Sequence, residues 1–173
     1  MTLSSLPEIT NHLVQTHLDA GRVMRLTITT ASMWPTLAPG DRVTVRGIGA
    51  QDVKLGDVVV LNRQEVRLVH RVIACRNEHG TAVLITKGDN CVWADEPLPE
   101  SQLLGLVVAI ERGARAVNLQ SARARWANRA VAHLSRSEWR AQRLPRRLLW
   151  RAWRKWLRLS IRVSAQIAFW MAC

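Results

Sequence analysis

The sequence predicts a mainly β protein: a compact antiparallel β domain with a short N-terminal helix before it and a basic helical extension after it. Three observations carry this prediction. Short stretches that alternate apolar and polar residues recur between residues 24 and 110, and a half-buried strand requires that period of two. Turn signals, Pro39-Gly40-Asp41 and Gly56-Asp57, punctuate them. The charge then divides the chain. Residues 1–113 hold 11 Lys and Arg against 12 Asp and Glu, whereas residues 114–173 hold 14 against one. The formal net charge of +12 therefore belongs to the last third. Three segments are expected: a helical segment at 1–23, the β domain at 24–113, and a basic, Trp- and Arg-rich tail at 114–173. On this reading, truncation before Ala114 leaves the β domain folded.

Each element has its own signal. Ile9, Leu13 and Leu18 recur at near-helical spacing, and Gly21 follows as a stop, so residues 6–20 are expected to be helical. Residues 24–30 alternate as a strand, and residues 42–46 alternate again after the Pro-Gly-Asp turn. Residues 58–61 follow Gly56-Asp57. Residues 66–74 and 81–86 are two further β-rich runs joined across 77–80, and residues 103–110 form one more. Short strands at close spacing favour an antiparallel β architecture. Residues 114–144 are rich in Ala and Arg, which favours helix. Pro145 suits the first position of a last helix. Beyond it Leu149, Trp153, Trp156, Ser160, Val163, Ile167 and Trp170 form one stripe. Arg147, Arg151, Arg154, Arg158 and Arg162 form another.

Composition sets the outer bounds. A chain of 173 residues, 48% hydrophobic, is long enough for one cored domain and too apolar to be wholly disordered. Cys75, Cys91 and Cys173 are odd in number and lack metal-ligand spacing, so they read as reduced thiols, which permits a cytoplasmic setting. No metal and no cofactor are expected. The opening residues carry neither a basic start nor an apolar run, so neither a secretory signal nor a leading membrane anchor is expected. The longest uncharged C-terminal stretch, residues 163–173, is too short to cross a bilayer.

The candidate chemistry lies in three places. Ser32 follows the first strand and is braced by Pro35, but a serine hydroxyl needs a base to become nucleophilic. His70, inside an apolar strand, has an ordinary pKa suited to that task. Asp89 and Asp95 follow, and a carboxylate on one imidazole nitrogen fixes the tautomer and stabilises the imidazolium. Taken singly, each is more often turn or core chemistry.

In combination these blocks resemble the signal peptidase I family of serine endopeptidases. The resemblance rests on Ser32-Met33-Trp34-Pro35-Thr36-Leu37 with Gly40-Asp41, Gly56-Asp57-Val58-Val59, His70-Arg71-Val72-Ile73, Thr86-Lys87-Gly88-Asp89-Asn90, and Leu104-Gly105 with Val107-Val108. It covers about residues 24–112. Where bacterial housekeeping members carry a lysine before the Arg-Val pair, this chain has His70, which is similar to the serine–histidine branch found in archaea and the endoplasmic reticulum. The resemblance implies Ser32 as nucleophile, His70 as general base and Asp95 as the acid that orients it. Asp89 is then the supporting acid of its block, with the choice of aspartate on the histidine left open. It also implies that the Ser32 N–H and the Thr30 hydroxyl receive the oxyanion, and that the residue before the scissile bond is small. A lysine base is disfavoured, because Lys54, Lys87 and Lys155 all sit outside the family's base position.

The expected substrate is therefore a precursor peptide or protein, cut through an acyl-enzyme. The alternative is a non-catalytic β module whose tail docks on membrane, nucleic acid or a protein. For the tail itself three readings compete: a helical pair packing Leu and Trp on the β domain, a helix lying in an anionic membrane surface, and a nucleic-acid contact. The membrane reading is preferred, because Trp suits the headgroup level and Arg attracts anionic lipid. It assigns the lipid contact to Arg147, Arg151, Trp153, Arg154, Trp156, Arg158 and Arg162, and places the protein on the inner face of the cytoplasmic membrane. Nucleic acid ranks below it, since no base-reading motif accompanies the charge.

Overall fold

The computed structural model describes residues 14, 16–18, 20–63, 66–78 and 81–142. Val14 and residues 16–18 are helical, and Gly21, at a φ of 74°, ends the turn by donating its N–H to the Leu18 carbonyl. The rest of the expected N-terminal helix lies outside the described residues. So does everything from residue 143 onward, including the seven tail residues assigned to the membrane.

Eight strands follow: β1 (Val23–Thr27), β2 (Arg42–Arg46), β3 (Val58–Arg63), β4 (Val66–Glu78), β5 (Thr81–Lys87), β6 (Leu98–Pro99), β7 (Leu103–Arg112) and β8 (Arg115–Asn118). They form one antiparallel sheet in the order β1-β2-β7-β3-β4-β5-β6, with β8 also on β7. β3 shows why the sheet has two cores. Its apolar run is continuous, and a strand sends successive side chains to opposite faces. Val58 and Val60 join one cluster with Met33, Leu37, Val43, Val107 and Ile110. Val59 and Leu61 join the other with Val72, Leu84, Leu98 and Leu106.

The tail begins later than the charge split predicts. Gly113, at a φ of 59°, turns the chain back so that β8 pairs with β7, and Val117 and Leu119 enter the first core. The expected helix over 114–144 therefore starts only at α1 (Ala122–Ala141), capped by the Ser121 hydroxyl, which accepts from the Ala124 N–H at 3.2 Å. A basic composition could not reveal a four-residue strand in which only Val117 is buried.

α1 packs largely through small residues, with Trp139 as its large apolar contact. Ala124, Ala127, Asn128, Val131, Ser135, Glu138 and Ala141 form its buried stripe, while Trp126 is 67% exposed. The backbone of Asn128 and Arg129 passes over Gly56, where a Cβ would lie 2.8 Å from both. Trp139 meets the small cluster of Ile73, Ala74 and Ile85. Two buried cations of the β domain also find partners here. Arg71 donates to Asn128 Oδ1 at 2.8 Å, and Lys87 Nζ lies 3.1 Å from Glu138 Oε2. Cutting before Ala114 would leave both without these partners. α1 therefore packs on the sheet and supplies partners to two cations buried within it.

Candidate active site

The loop after β1 is fixed from below. Met33 and Leu37 are buried in the first core, and Leu37 donates its N–H to the Met33 carbonyl at 2.9 Å. Trp34-Pro35 is a cis peptide. Arg112 grips the far side of the loop. It donates to both oxygens of Asp41 at 2.8 and 2.7 Å and to the Thr36 carbonyl at 3.1 Å. With its alternate residues anchored, the loop leaves Ser32 half-exposed and Trp34 exposed. Asn90 holds the loop from above. Its N–H donates to the Ser32 carbonyl at 2.8 Å and its amide to the Ala31 carbonyl at 3.2 Å. Among the described residues, no acceptor takes the Ser32 N–H.

His70 lies on β4, opposite Val59 of β3, and is buried. Its Nδ1–H faces the Asp95 carboxylate at 2.6 Å. Asp95 is held in turn by Thr86, whose hydroxyl donates to the same oxygen at 2.6 Å and whose carbonyl accepts the Asp95 N–H at 2.8 Å. Nε2 points toward Gly88. A Cβ on Gly88 would lie 3.1 Å from Nε2 and 2.6 Å from the Ser32 carbonyl oxygen. The absence of a side chain at residue 88 thus lets the imidazole and the Ser32 loop converge.

Asp95, then, meets the imidazole, and Asp89 does not. Asp89 is buried and accepts two bonds from Arg71, both 2.8 Å, and one from the Thr36 hydroxyl at 2.5 Å. It ties the turn after β5 to the Ser32 loop. Thr30 lies at the front, with Oγ1 3.3 Å from Ser32 Oγ. That hydroxyl, rather than the imidazole, is the partner of Ser32 Oγ among the described residues. Catalytic hydrogen bonds are commonly loose without substrate and tighten on binding.

The electrostatics follow from these contacts. Burial pushes His70 down, but the Asp95 and Cys91 side chains bonded to the ring, with their charges, outweigh it and lift His70 to about 9. Burial pushes Asp95 up, and the bond and charge of His70, the Thr86 hydroxyl and Arg63 outweigh it. Its carboxyl is held below the ordinary carboxylate value.

The family model described as signal peptidase, peptidase S26, matches residues 16–105, just over half of the chain. The chain belongs to the peptidase S26 family. No curated protein matches it closely enough to count as a relative. The matched stretch of this S26 domain contains Ser32, His70, Asp89 and Asp95, and the mainly antiparallel sheet agrees with membership. β8 and α1 lie beyond the match, so the helix that neutralises Lys87 and helps hold Arg71 is outside the shared core.

Several residues around the S26 site were not legible as such. Thr86 and Arg71 stand inside quoted motifs, but a motif does not say which atom each serves. Asn128 and Glu138 carried no signal beyond being the polar residues of a helix face, Glu138 the lone acid among 14 bases. A cleft of about 920 Å³, lined in part by Arg46, Ile48, Lys54, Asp57, Glu100 and Arg125, contains none of the candidate site residues. Chemistry, not volume, marks the site. Among the described residues no helix is long and apolar enough to cross a membrane.

Proposed function

We propose that the chain is a serine endopeptidase of the serine–histidine branch of its family, cutting a peptide bond in a precursor peptide or protein. The observation that carries this reading is the 2.6 Å approach of His70 to Asp95, with Nε2 turned toward the Ser32 loop across Gly88. In the proposed reaction Ser32 Oγ attacks the scissile carbonyl as its proton passes to His70 Nε2. Asp95 holds the imidazole in the tautomer that can accept it. The Ser32 N–H and the Thr30 hydroxyl face the oxyanion, and one such donor is worth about 3–4 kcal/mol in the transition state. His70 then gives its proton to the leaving amine, and water, activated by the same imidazole, releases the acyl group from Ser32.

The tail is proposed to hold the enzyme at an anionic membrane surface on the cytoplasmic side. The support is the arginine stripe interleaved with Trp153 and Trp156.

The test is cleavage of a randomised peptide library by the full chain, with sites mapped by mass spectrometry, beside labelling by a fluorophosphonate. Ser32→Ala and His70→Ala should each abolish cleavage, and Ser32→Ala should abolish the label, with the circular dichroism spectrum retained. Wild-type cleavage by either variant would reject the assignment. A folded wild-type chain that neither cleaves nor labels would favour a non-catalytic binding module.

A further inference from the structure

Gln142 lies outside the stretch that the family model matches, yet it bonds the loop that carries Asp95. Its side-chain amide donates to the Val92 carbonyl at 2.7 Å. The segment 88–95 leaves β5, turns, and comes back along it. The turn is tied to the Ser32 loop by the Asn90 N–H, which donates to the Ser32 carbonyl at 2.8 Å. The returning arm is tied at Asp95, whose N–H donates to the Thr86 carbonyl at 2.8 Å. Val92 stands between these two anchors, and Trp93 beside it is 61% exposed. The donor is itself held. Glu138 stands one turn earlier on the same face of α1, 3.1 Å from Lys87 Nζ, and both side chains are buried. The Arg76 guanidinium lies 5.8 Å over the Trp139 ring. The Gln142 N–H closes the last turn on the Glu138 carbonyl at 3.0 Å. The end of α1 is thus fixed against β4 and β5, and the amide reaches Val92 from a rigid base.

We propose that Gln142 is a positioning residue of this site, setting through the Val92 carbonyl the arm that presents the Asp95 carboxylate to His70 Nδ1. The amide itself touches neither the imidazole nor the reacting atoms. Asp95 meets His70 with the same oxygen that takes the Thr86 hydroxyl, both at 2.6 Å. A small displacement of the arm therefore weakens one bond or the other, because a hydrogen bond to a charged group depends steeply on distance and angle. The hold on the imidazole stands on this geometry alone; its effect on turnover rests on the hydrolytic reading above.

Gln142→Met keeps an unbranched side chain that suits a helix and removes the donor. Gln142→Asn keeps the amide on a shorter stem. In the full chain, His70 is titrated by nuclear magnetic resonance through its ring protons, assigned with His70→Gln. Asp95 and Cys91 are the titratable groups beside the ring, and Arg63 acts on Asp95. Both substitutions leave these groups in place and add no charge. The midpoint, about 9 in the wild-type chain, should fall by about one pH unit in Gln142→Met, as when a charge-assisted bond to an imidazolium weakens. Gln142→Asn should lie between the two. A midpoint unmoved in folded Gln142→Met overturns the proposal, even if cleavage falls, since the loss would then be merely structural. A second arm follows cleavage of a peptide from the mapped library above both midpoints. There kcat and kcat/KM should fall together, by roughly tenfold to a hundredfold, as expected for a misplaced group with substrate binding intact. Undiminished cleavage with a moved midpoint overturns the role in turnover. A wild-type chain that cleaves nothing instead removes the Ser32 reading, while the titration still decides the role of Gln142.

Discussion

Replacing Asp89 by Asn separates the two aspartates that the sequence could not tell apart. The Asp89 side chain has no exposed surface and that of Arg71 only 1%. Arg71 gives Asp89 two bonds, and its remaining donors go to neutral acceptors: the Gly56 carbonyl, Asn128 Oδ1 and the Thr36 hydroxyl. In Asp89→Asn the guanidinium stays buried with no anion, and the new amide group faces a donor. Leaving a buried charge uncompensated costs about 3–5 kcal/mol, a large part of the roughly 5–15 kcal/mol that keeps a domain folded. With a urea slope of about 2 kcal/mol per M, the unfolding midpoint should fall by roughly 2 M. The double change Arg71→Met with Asp89→Leu should recover part of this loss, because it buries no charge. Recovery is incomplete, since the Gly56 carbonyl and Asn128 lose their donor. Equilibrium unfolding followed by circular dichroism measures all three. A wild-type midpoint for Asp89→Asn, or a double variant weaker than the single one, would refute the idea that this pair anchors the turn.

Asp95→Asn should lower cleavage by up to roughly 10⁴-fold, as loss of a triad carboxylate can; a folded variant with wild-type turnover would count against its orienting role. The pH dependence has opposite signs for activity and stability. His70 works as a base only when neutral, so kcat/KM should climb through about 9 and level off above it, and a profile already flat from pH 7 upward would contradict the contacts drawn for His70. The same raised pKa makes the imidazolium a stabilising group, present in full below about 6.5 and lost as pH rises to about 9, on the order of 3 kcal/mol at most; urea midpoints that do not fall across that window would contradict it. Truncation after Gln142 should keep the domain folded and abolish binding to phosphatidylglycerol vesicles, since each Arg near the surface contributes about 1 kcal/mol, whereas truncation before Ala114 should fail to fold; full vesicle binding by the shorter chain would remove the membrane assignment.

What could be read without coordinates follows from how local each signal is. The strands β2, β3 and β7 were legible because alternation and apolar runs are properties of a few neighbouring residues. β6 has only two residues and β8 four, too few to show a period; β6 pairs with the more distant β5, and β8 is the return arm of a hairpin with β7. The Ser32, His70 and Asp95 blocks were legible as motifs, yet the choice between Asp89 and Asp95 depends on the register that sets β4 against β5. Arg71 lies opposite Lys87 in that pairing, with a bulge between Val72 and Ala74. That register carries Arg71 to Asp89 and leaves Asp95, returning along Thr86, to meet His70. The charge split misled for a related reason. Counting charges cannot distinguish a basic helix that leaves the domain from one that lies on it. The difference rests on Asn128 and Glu138, two residues whose burial depends on cations encoded 57 and 51 positions earlier. Long-range pairing of buried charge is where composition stops being informative. In this chain that pairing makes the helix beyond the matched family region a support for the turn that carries the candidate site.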